Sequence, residues 1–415
     1  MNKDLQKRII FTICLLVIAR MGVFIPIPGV DHDALYAASK NNQFISFLNM
    51  FSGGGFSTIG LFALGIVPFI NSSIVIQILV KVIPSLEKLQ QEEGESGRQQ
   101  INQITRSFSF GWAIIQSLSI SFWIRPYVFD WNISFIADTV LSLTTGSMLV
   151  MWLSELITEK GIGNGTSLLI FFNVISNLPK DNIQNFILTA NFNLALLVKL
   201  IFLIILFIIM VLLAILMQET MKKLNIVSAR QLNDFSTSRD SRLNSYIPLK
   251  LYQGGVMPII FASAVISLLI YILQIFQSEM VQYFISLFLP KGILYLPLYA
   301  VLIFVFSYLY SSLIFNPYDI SKNLRKAGSS IVGIRPGQDT ISYLKTVLNR
   351  LTFLGSILLF IIAVLPSFIS FINIDFVRSI SPTSILILVG VAIQTTKQVQ
   401  TYMMTSEYEE MTKAK

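Results

Sequence analysis

Few residues in this chain have the type and spacing that chemistry requires. The single histidine, His32, stands between Asp31 and Asp33, and a histidine flanked by carboxylates is the first arrangement to test as a metal site. Three consecutive residues cannot converge on one ion with proper ligand geometry, so the triplet reads as a solvated loop. Gly161-Ile162-Gly163-Asn164-Gly165 is glycine-dense enough to suggest a phosphate cradle. It lacks a closing lysine and follows an apolar run rather than a strand of a βαβ unit, so that chemistry is not expected. Cys14 is the only cysteine. It cannot form an internal disulfide, and its apolar neighbours make it a small buried hydrophobe. No nucleophile is placed with a base. No enzyme activity, metal or cofactor is expected.

Ionisable groups inside apolar segments usually mark an ion or proton pathway. Only Arg20 and Glu155 approach that description, both near segment ends, and no relay of Asp, Glu or His crosses the middle of any segment. The residues therefore suggest a conduit whose energy comes from elsewhere.

The elements that would build such a conduit are apolar and long. Hydrophobic residues make up 54% of the 415, and charged residues only 13%, against roughly 25% charged in a soluble domain. Ten apolar runs fall at about 9–27, 64–83, 108–124, 138–157, 166–188, 194–217, 254–275, 294–315, 351–372 and 383–402. About 20 residues of helix cross a ~30 Å hydrocarbon core, so each run reads as a span. The fifth is the weakest, because Asn173, Asn177 and Pro179 interrupt it. The first follows Lys3, Lys7 and Arg8 with no small-residue cleavage site after it, and reads as a span rather than a cleaved signal. A shorter apolar segment at about 51–65 carries Gly53, Gly54, Gly55 and Gly60. Such a segment reads as re-entrant, tolerated at membrane depth only where it lines a cavity.

Lysine and arginine set the orientation. With the N-terminus in the cytosol or stroma, 23 of the 30 basic residues fall on the inside and 6 on the outside, with Arg20 in the first span. This asymmetry predicts both termini inside and accounts for the net charge of +8 without nucleic acid. Two inside loops, about 218–253 and 316–350, are long and basic. Charge alone suits either anionic lipid or a large docking partner.

Several stretches resemble one family, the SecY family of protein-conducting channels. They are IPIPGVD (25–31), the run from Phe51 to Arg106, ELITEKGIGNGTSLLIF (155–171), YIPLKLYQGGVMPIIFAS (246–263), FNPYDISKNLRKAGSSIVGIRPGQDT (315–340) and TSILILVGVAIQTTKQVQTYMM (383–404). They occur in order along nearly the whole chain.

The resemblance implies an all-α polytopic membrane protein: ten transmembrane helices in two pseudo-symmetric inverted halves, about 1–188 and 189–415, with segment 51–65 as a plug. It implies a constriction of apolar side chains at Ile66, Ile70, Val174, Ile260 and Ile387. A narrow aliphatic ring dewets, resists ions when empty and offers a moving chain no place to stick. It implies a lateral gate of spans two and three against seven and eight, to which Asn71, Ser72, Ser73 and Gln77 lend polar groups. Such groups contribute only about 0.6–2 kcal/mol each at a helix seam, which suits a seam that opens. Generic interhelical contact elsewhere is the other reading of these four. Arg335, in Gly-Ile-Arg-Pro-Gly, matches the family's docking arginine, and Lys222 and Lys223 match basic residues of the second docking loop. That loop departs from the family pattern over 225–244, being more polar and less basic.

The implied partners are a small SecE-like clamp subunit, a SecG-like subunit, a SecA-type motor ATPase or a ribosome, and signal-bearing polypeptides. The run 71–95 resembles plastid and cyanobacterial members, implying a plastid thylakoid membrane, with a bacterial plasma membrane as the alternative. An inverted-repeat secondary transporter also fits ten spans, but needs polar coordination at the midplane. An insertase without a through-pore is a third reading, against which the plug argues.

Overall fold

A computed structural model describes residues 3–35, 49, 52–92, 94–176, 194–228, 245–251, 257–275, 292, 294–370 and 382–413. Each of the ten apolar runs coincides with a helix. These are α1 (Lys3–Val23), α3 (Val67–Val82), α5 (Gly94–Ile124), α6 (Ile133–Lys160), α7 (Gly165–Ser176), α8 (Leu194–Glu219), α9 (Met257–Ile275), α10 (Tyr295–Ile314), α12 (Gln338–Ser370) and α13 (Pro382–Lys413). Among the described residues there are also three short α-helices, α2 (Gly55–Thr58), α4 (Pro84–Glu92) and α11 (Pro317–Lys326), and a 3-10 turn at Arg125–Tyr127. Among the described residues, the helical stretches Glu95–Tyr127, Ile133–Lys160, Tyr295–Lys326 and Gln338–Leu365 are long and apolar enough to cross a membrane. The second part of the fifth run, 177–188, lies outside the described residues.

Burial follows what a bilayer demands. On α8, Ile201, Ile204, Ile205, Ile208 and Leu212 are exposed while Leu206, Met210, Ala214 and Met217 are buried. A helix apolar on both faces, one packed and one bare, is solvated by hydrocarbon on the bare face.

The chain divides into two compact units, Met1–Thr189 with Ile387–Lys415, and Ala190–Leu386. The last helix, from Ile387 onward, groups with the first unit. In that unit α1 packs on α6 and α7, and α5 packs on α3, α4 and α6. The 161–165 loop holds α13 there: the Gly163 N–H donates to Gln398 Oε1 at 2.7 Å. The Ile162 N–H donates to Thr12 Oγ1 at 3.0 Å, and the Gly165 N–H to Thr158 Oγ1 at 2.9 Å. A Cβ on Gly165 would meet the Ser154 carbonyl, so the loop also needs glycine for space. Nearby, the Arg8 guanidinium lies 5.1 Å from the Tyr402 ring centroid and donates to its hydroxyl at 3.3 Å.

In the second unit α8 and α10 pack on α12, and α9 on α10. Thr352 donates to Ser311 at 2.8 Å, a buried bond joining α12 and α10. The two basic loops are not loops throughout. Strand β1 (Met221–Ser228) pairs antiparallel with β2 (Tyr246–Lys250) and with β3 (Ser329–Ile331), in the order β2-β1-β3. Pro248 is tolerated because β2 is an edge strand. The sheet and the first turns of α12 share a core of Leu224, Leu249, Ile331, Leu344 and Leu348. Fully burying one leucine contributes about 1.5–3 kcal/mol, so these five can organise a small module. Residues 338–350, expected as loop, are the start of α12: their apolar positions face this core and their charges face water.

Candidate functional site

Three places in the structure carry the predicted functional residues. The first is the glycine-rich segment. Gly53 (φ +67) and Gly54 (φ +92) are left-handed, and Gly54 caps the single turn of α2. Left-handed backbone is strained for residues with a Cβ, which explains the glycines. The segment has two differently held parts. Residues 59–62 are tied to the chain that follows α1: the Ile27 N–H donates to the Ile59 carbonyl at 3.1 Å and the Leu61 N–H to the Ile25 carbonyl at 2.8 Å. Gly60 lies so close that a Cβ would meet the Val23 carbonyl. Phe56, Ile59, Ala63 and Leu64 pack among Ile27, Val30, Leu35, Ile124 and Leu143. The glycines alone suggest a weakly held segment; residues 59–62 are instead anchored by backbone bonds, and the core takes in Phe56 from the first part as well.

Residues 52–58 have fewer described ties. The Phe56 N–H donates to Ser52 Oγ at 3.3 Å, and the Gly53 carbonyl accepts from Arg20 Nη1 at 2.6 Å. The Arg20 guanidinium also lies 4.7 Å from the Phe24 ring centroid. Sequence reading noted Arg20 as a charge in the first span but not its acceptor, since a backbone carbonyl has no sequence signature.

The second place is the set of expected constriction residues. Ile66 is fully buried at the N-cap of α3, and Ile70 lies one turn on, half-buried, its N–H donating to the Ile66 carbonyl at 3.1 Å. Val174 is buried on α7, and Ile387 is buried on α13. Ile260 is half-buried in the first turn of α9, in the second unit. On α3, Asn71 and Ser73 are half-buried, Ser72 is buried and Gln77 is exposed. Ser72 donates to the Pro68 carbonyl at 2.7 Å, and Gln77 donates to Ser73 at 3.3 Å. These bonds stay within α3, so Ser72, Ser73 and Gln77 are bonded without a neighbouring helix.

The third place is the three-stranded module. Arg335 is exposed in a turn between Gly333 (φ +79) and Gly337 (φ +115). Three bonds pin that turn. Val332 N–H donates to the Asn225 carbonyl at 3.2 Å, Ser321 to the Gly337 carbonyl at 3.2 Å, and Thr340 to the Arg335 carbonyl at 2.8 Å. Upstream, Asn316 caps α11 by accepting from the Tyr318 N–H, with Pro317 in the first turn. Lys222 and Lys223 are exposed on β1. Successive strand residues point to opposite faces, so the two do not share one. Lys223 Nζ lies 4.9 Å from the Tyr246 ring centroid. Lys250, Lys322, Arg325, Lys326, Lys345 and Arg350 are exposed on the same module.

The residues first tested for chemistry have structural places, although Cys14, expected to be buried, is exposed on α1, whose apolar surface is bare at that position. Asp31 Oδ1 accepts from the Ala34 N–H at 3.2 Å and caps a turn. The N–H groups of the 161–165 loop, which a phosphate would need, are taken by Thr12, Gln398 and Thr158. Glu155 pairs with Arg106 at 2.7 Å, joining α6 to α5.

The fold defines the class: a multi-helix membrane protein. The chain aligns over 96% of its length, and 93% of the other, with a solved structure described as a protein conducting channel, with TM-score 0.62 at 15% identity. A Sec61 structure from a canine ribosome–channel complex aligns over 96% and 93%, with TM-score 0.58 at 16% identity. The SecY family model matches residues 60–396. The protein translocase subunit SecY of Pyropia yezoensis is 56% identical over 413 residues, covering 99% of each chain. That of Synechocystis is 47% identical over 421 residues, covering 99% of this chain and 94% of its own. The chain belongs to the SecY family.

Proposed function

We propose that this chain passes unfolded, signal-bearing polypeptides through a constriction of Ile66, Ile70, Val174, Ile260 and Ile387, and releases apolar segments sideways into lipid. Residues 52–58 act as the plug of that constriction. The observation that carries the reading is the segment itself: a glycine-hinged turn at 53–58, next to a firmly anchored stretch and immediately before Ile66. A stopper must leave without unfolding the wall, and a first part with no described backbone bond to the chain after α1 permits it. Aliphatic side chains at the constriction suit a dry seal.

The lateral gate runs between α3 and α5 on one side and α9 and α10 on the other. Because the α3 polar groups are satisfied within their own helix, opening the gate leaves none of Ser72, Ser73 or Gln77 stranded. Arg335, Lys222 and Lys223 receive a motor ATPase or a ribosome from the cytosolic or stromal side, where both termini lie. The many exposed cations of the module favour an anionic partner surface. The partner supplies the energy and this chain hydrolyses no nucleotide. A small clamp-like subunit, and a further small subunit, hold the two halves, 1–188 and 189–415. Similarity to algal and cyanobacterial chains supports a plastid thylakoid membrane.

The test is reconstitution. Vesicles carrying this chain with its small subunits and a motor ATPase should protect a signal-bearing precursor from protease when ATP is present. Deleting the signal should abolish protection. Uptake of a small solute, with no precursor protection under any condition, would instead support the transporter reading.

A further inference from the structure

Arg20 places a positive charge in the last turn of α1, within an apolar span, and among the described residues no carboxylate pairs with it. The end of a helix favours a cation through its dipole, which explains why a charge is tolerated there. It does not explain where the guanidinium points. A long side chain near a span end would ordinarily snorkel to water. Arg20 instead lies over Phe24 and donates Nη1 to the Gly53 carbonyl at 2.6 Å. That carbonyl belongs to the part of the glycine-rich segment with no described backbone bond to the chain after α1.

The local geometry is shaped for this contact. A Cβ on Gly53 would lie 2.5 Å from Arg20 Nη1 and 2.8 Å from Asn173 Oδ1. Gly53 therefore needs its missing side chain for space as well as for its left-handed φ. A charge-assisted bond is roughly twice as strong as a neutral one, and more so in a low-dielectric setting. Residues 59–62 are tied by backbone bonds to the chain after α1, and among the described residues 53–58 have no such bond, so the Arg20 bond acts on the part held otherwise by packing.

We infer that Arg20 is a latch: its guanidinium holds residues 53–58 in the closed position and sets how readily the channel opens. The inference rests on the plug reading above. When the segment leaves, Arg20 loses a backbone acceptor, and water or the polar backbone of an arriving chain must replace it. Closed and open states are thus balanced by one exchangeable hydrogen bond rather than by packing alone. Arg20 is a positioning residue: it contacts the plug, and no contact with the transported chain is needed.

The experiment measures ion leak through resting vesicles that contain the assembled channel, with no precursor or motor present. Four channels are compared: parental, Arg20→Met, Arg20→Lys, and a deletion of residues 53–58. Losing a hydrogen bond to a charged group should raise resting leak in Arg20→Met by roughly tenfold to a hundredfold. Arg20→Lys, which keeps a charged donor but loses the planar guanidinium fork, should fall between Arg20→Met and the parent. Folding is checked by the Tm of each purified complex. If Arg20→Met does not assemble, Arg20→Gln takes its place. High leak in both Arg20→Met and the deletion, with Arg20→Lys intermediate, supports the latch. High leak in the deletion alone overturns the latch and leaves the plug reading intact. Parental leak in the deletion overturns the plug reading, and the latch with it.

Discussion

Residues 53–55 and residues 161–165 are both glycine-rich and both lie in the first unit, but their backbones are held in different ways. In 161–165, three N–H groups are met by side chains from three places: Thr12 on α1, Thr158 on α6 and Gln398 on α13. In 53–55, the described ties include the Gly54 N–H to the Asn49 carbonyl at 3.0 Å, the Gly60 N–H to the Gly55 carbonyl at 3.1 Å and one charged side chain, Arg20, on the Gly53 carbonyl. Glycine serves both space and left-handed backbone in each: Gly165 and Gly163 in 161–165, and Gly53 in 53–55. The first is a joint that fixes the end of the last helix. The second is a part built to change partners. Glycine content alone does not distinguish them; the origin of the hydrogen-bond partners does.

The comparison is sharpest at Gly165. A Cβ there meets the Ser154 backbone, which cannot swing aside, so Gly165→Ala should cost about 3 kcal/mol or more. The expected result is poor accumulation of the complex and a large drop in Tm. Gln398→Leu is milder. It leaves the Gly163 N–H unpaired in a part-buried setting, for about 1–3 kcal/mol. Its Tm should fall measurably while resting leak stays parental. Gly54→Ala should be smallest in stability and largest in leak. Forcing a Cβ into φ +92 costs roughly 1–2 kcal/mol, borne by residues 52–58. If Gly54→Ala lowered Tm as far as Gly165→Ala, the glycine-rich segment would be a second joint and the distinction would fail.

Much of this was legible in the sequence. The ten apolar runs mark ten helices because hydropathy over about 20 residues is a strong signal. The left-handed glycines were foreseeable as a cluster. The cytosolic module was not. Strands β1 and β3 are separated by β2 and three helices, and β3 has three residues. The first turns of α12 are amphipathic and charged, so a hydropathy reading starts the span after them. The 161–165 joint was missed as a joint because its partners lie 150 and 235 residues away. Side-chain-to-backbone bonds at such separations leave no local pattern. The Arg20 contact escaped for the same reason, although the charge itself stood out.

The central claim is that polypeptide passes the aliphatic constriction. The direct measurement places a single cysteine at Ile70, with Cys14 replaced, and engages a stalled secretory chain that also carries one cysteine. A disulfide crosslink in membranes that depends on a functional signal sequence is the predicted result. With the chain shown to be engaged, absence of a crosslink at Ile70, and equally at Ile260 and Ile387, would contradict the account and move the path elsewhere.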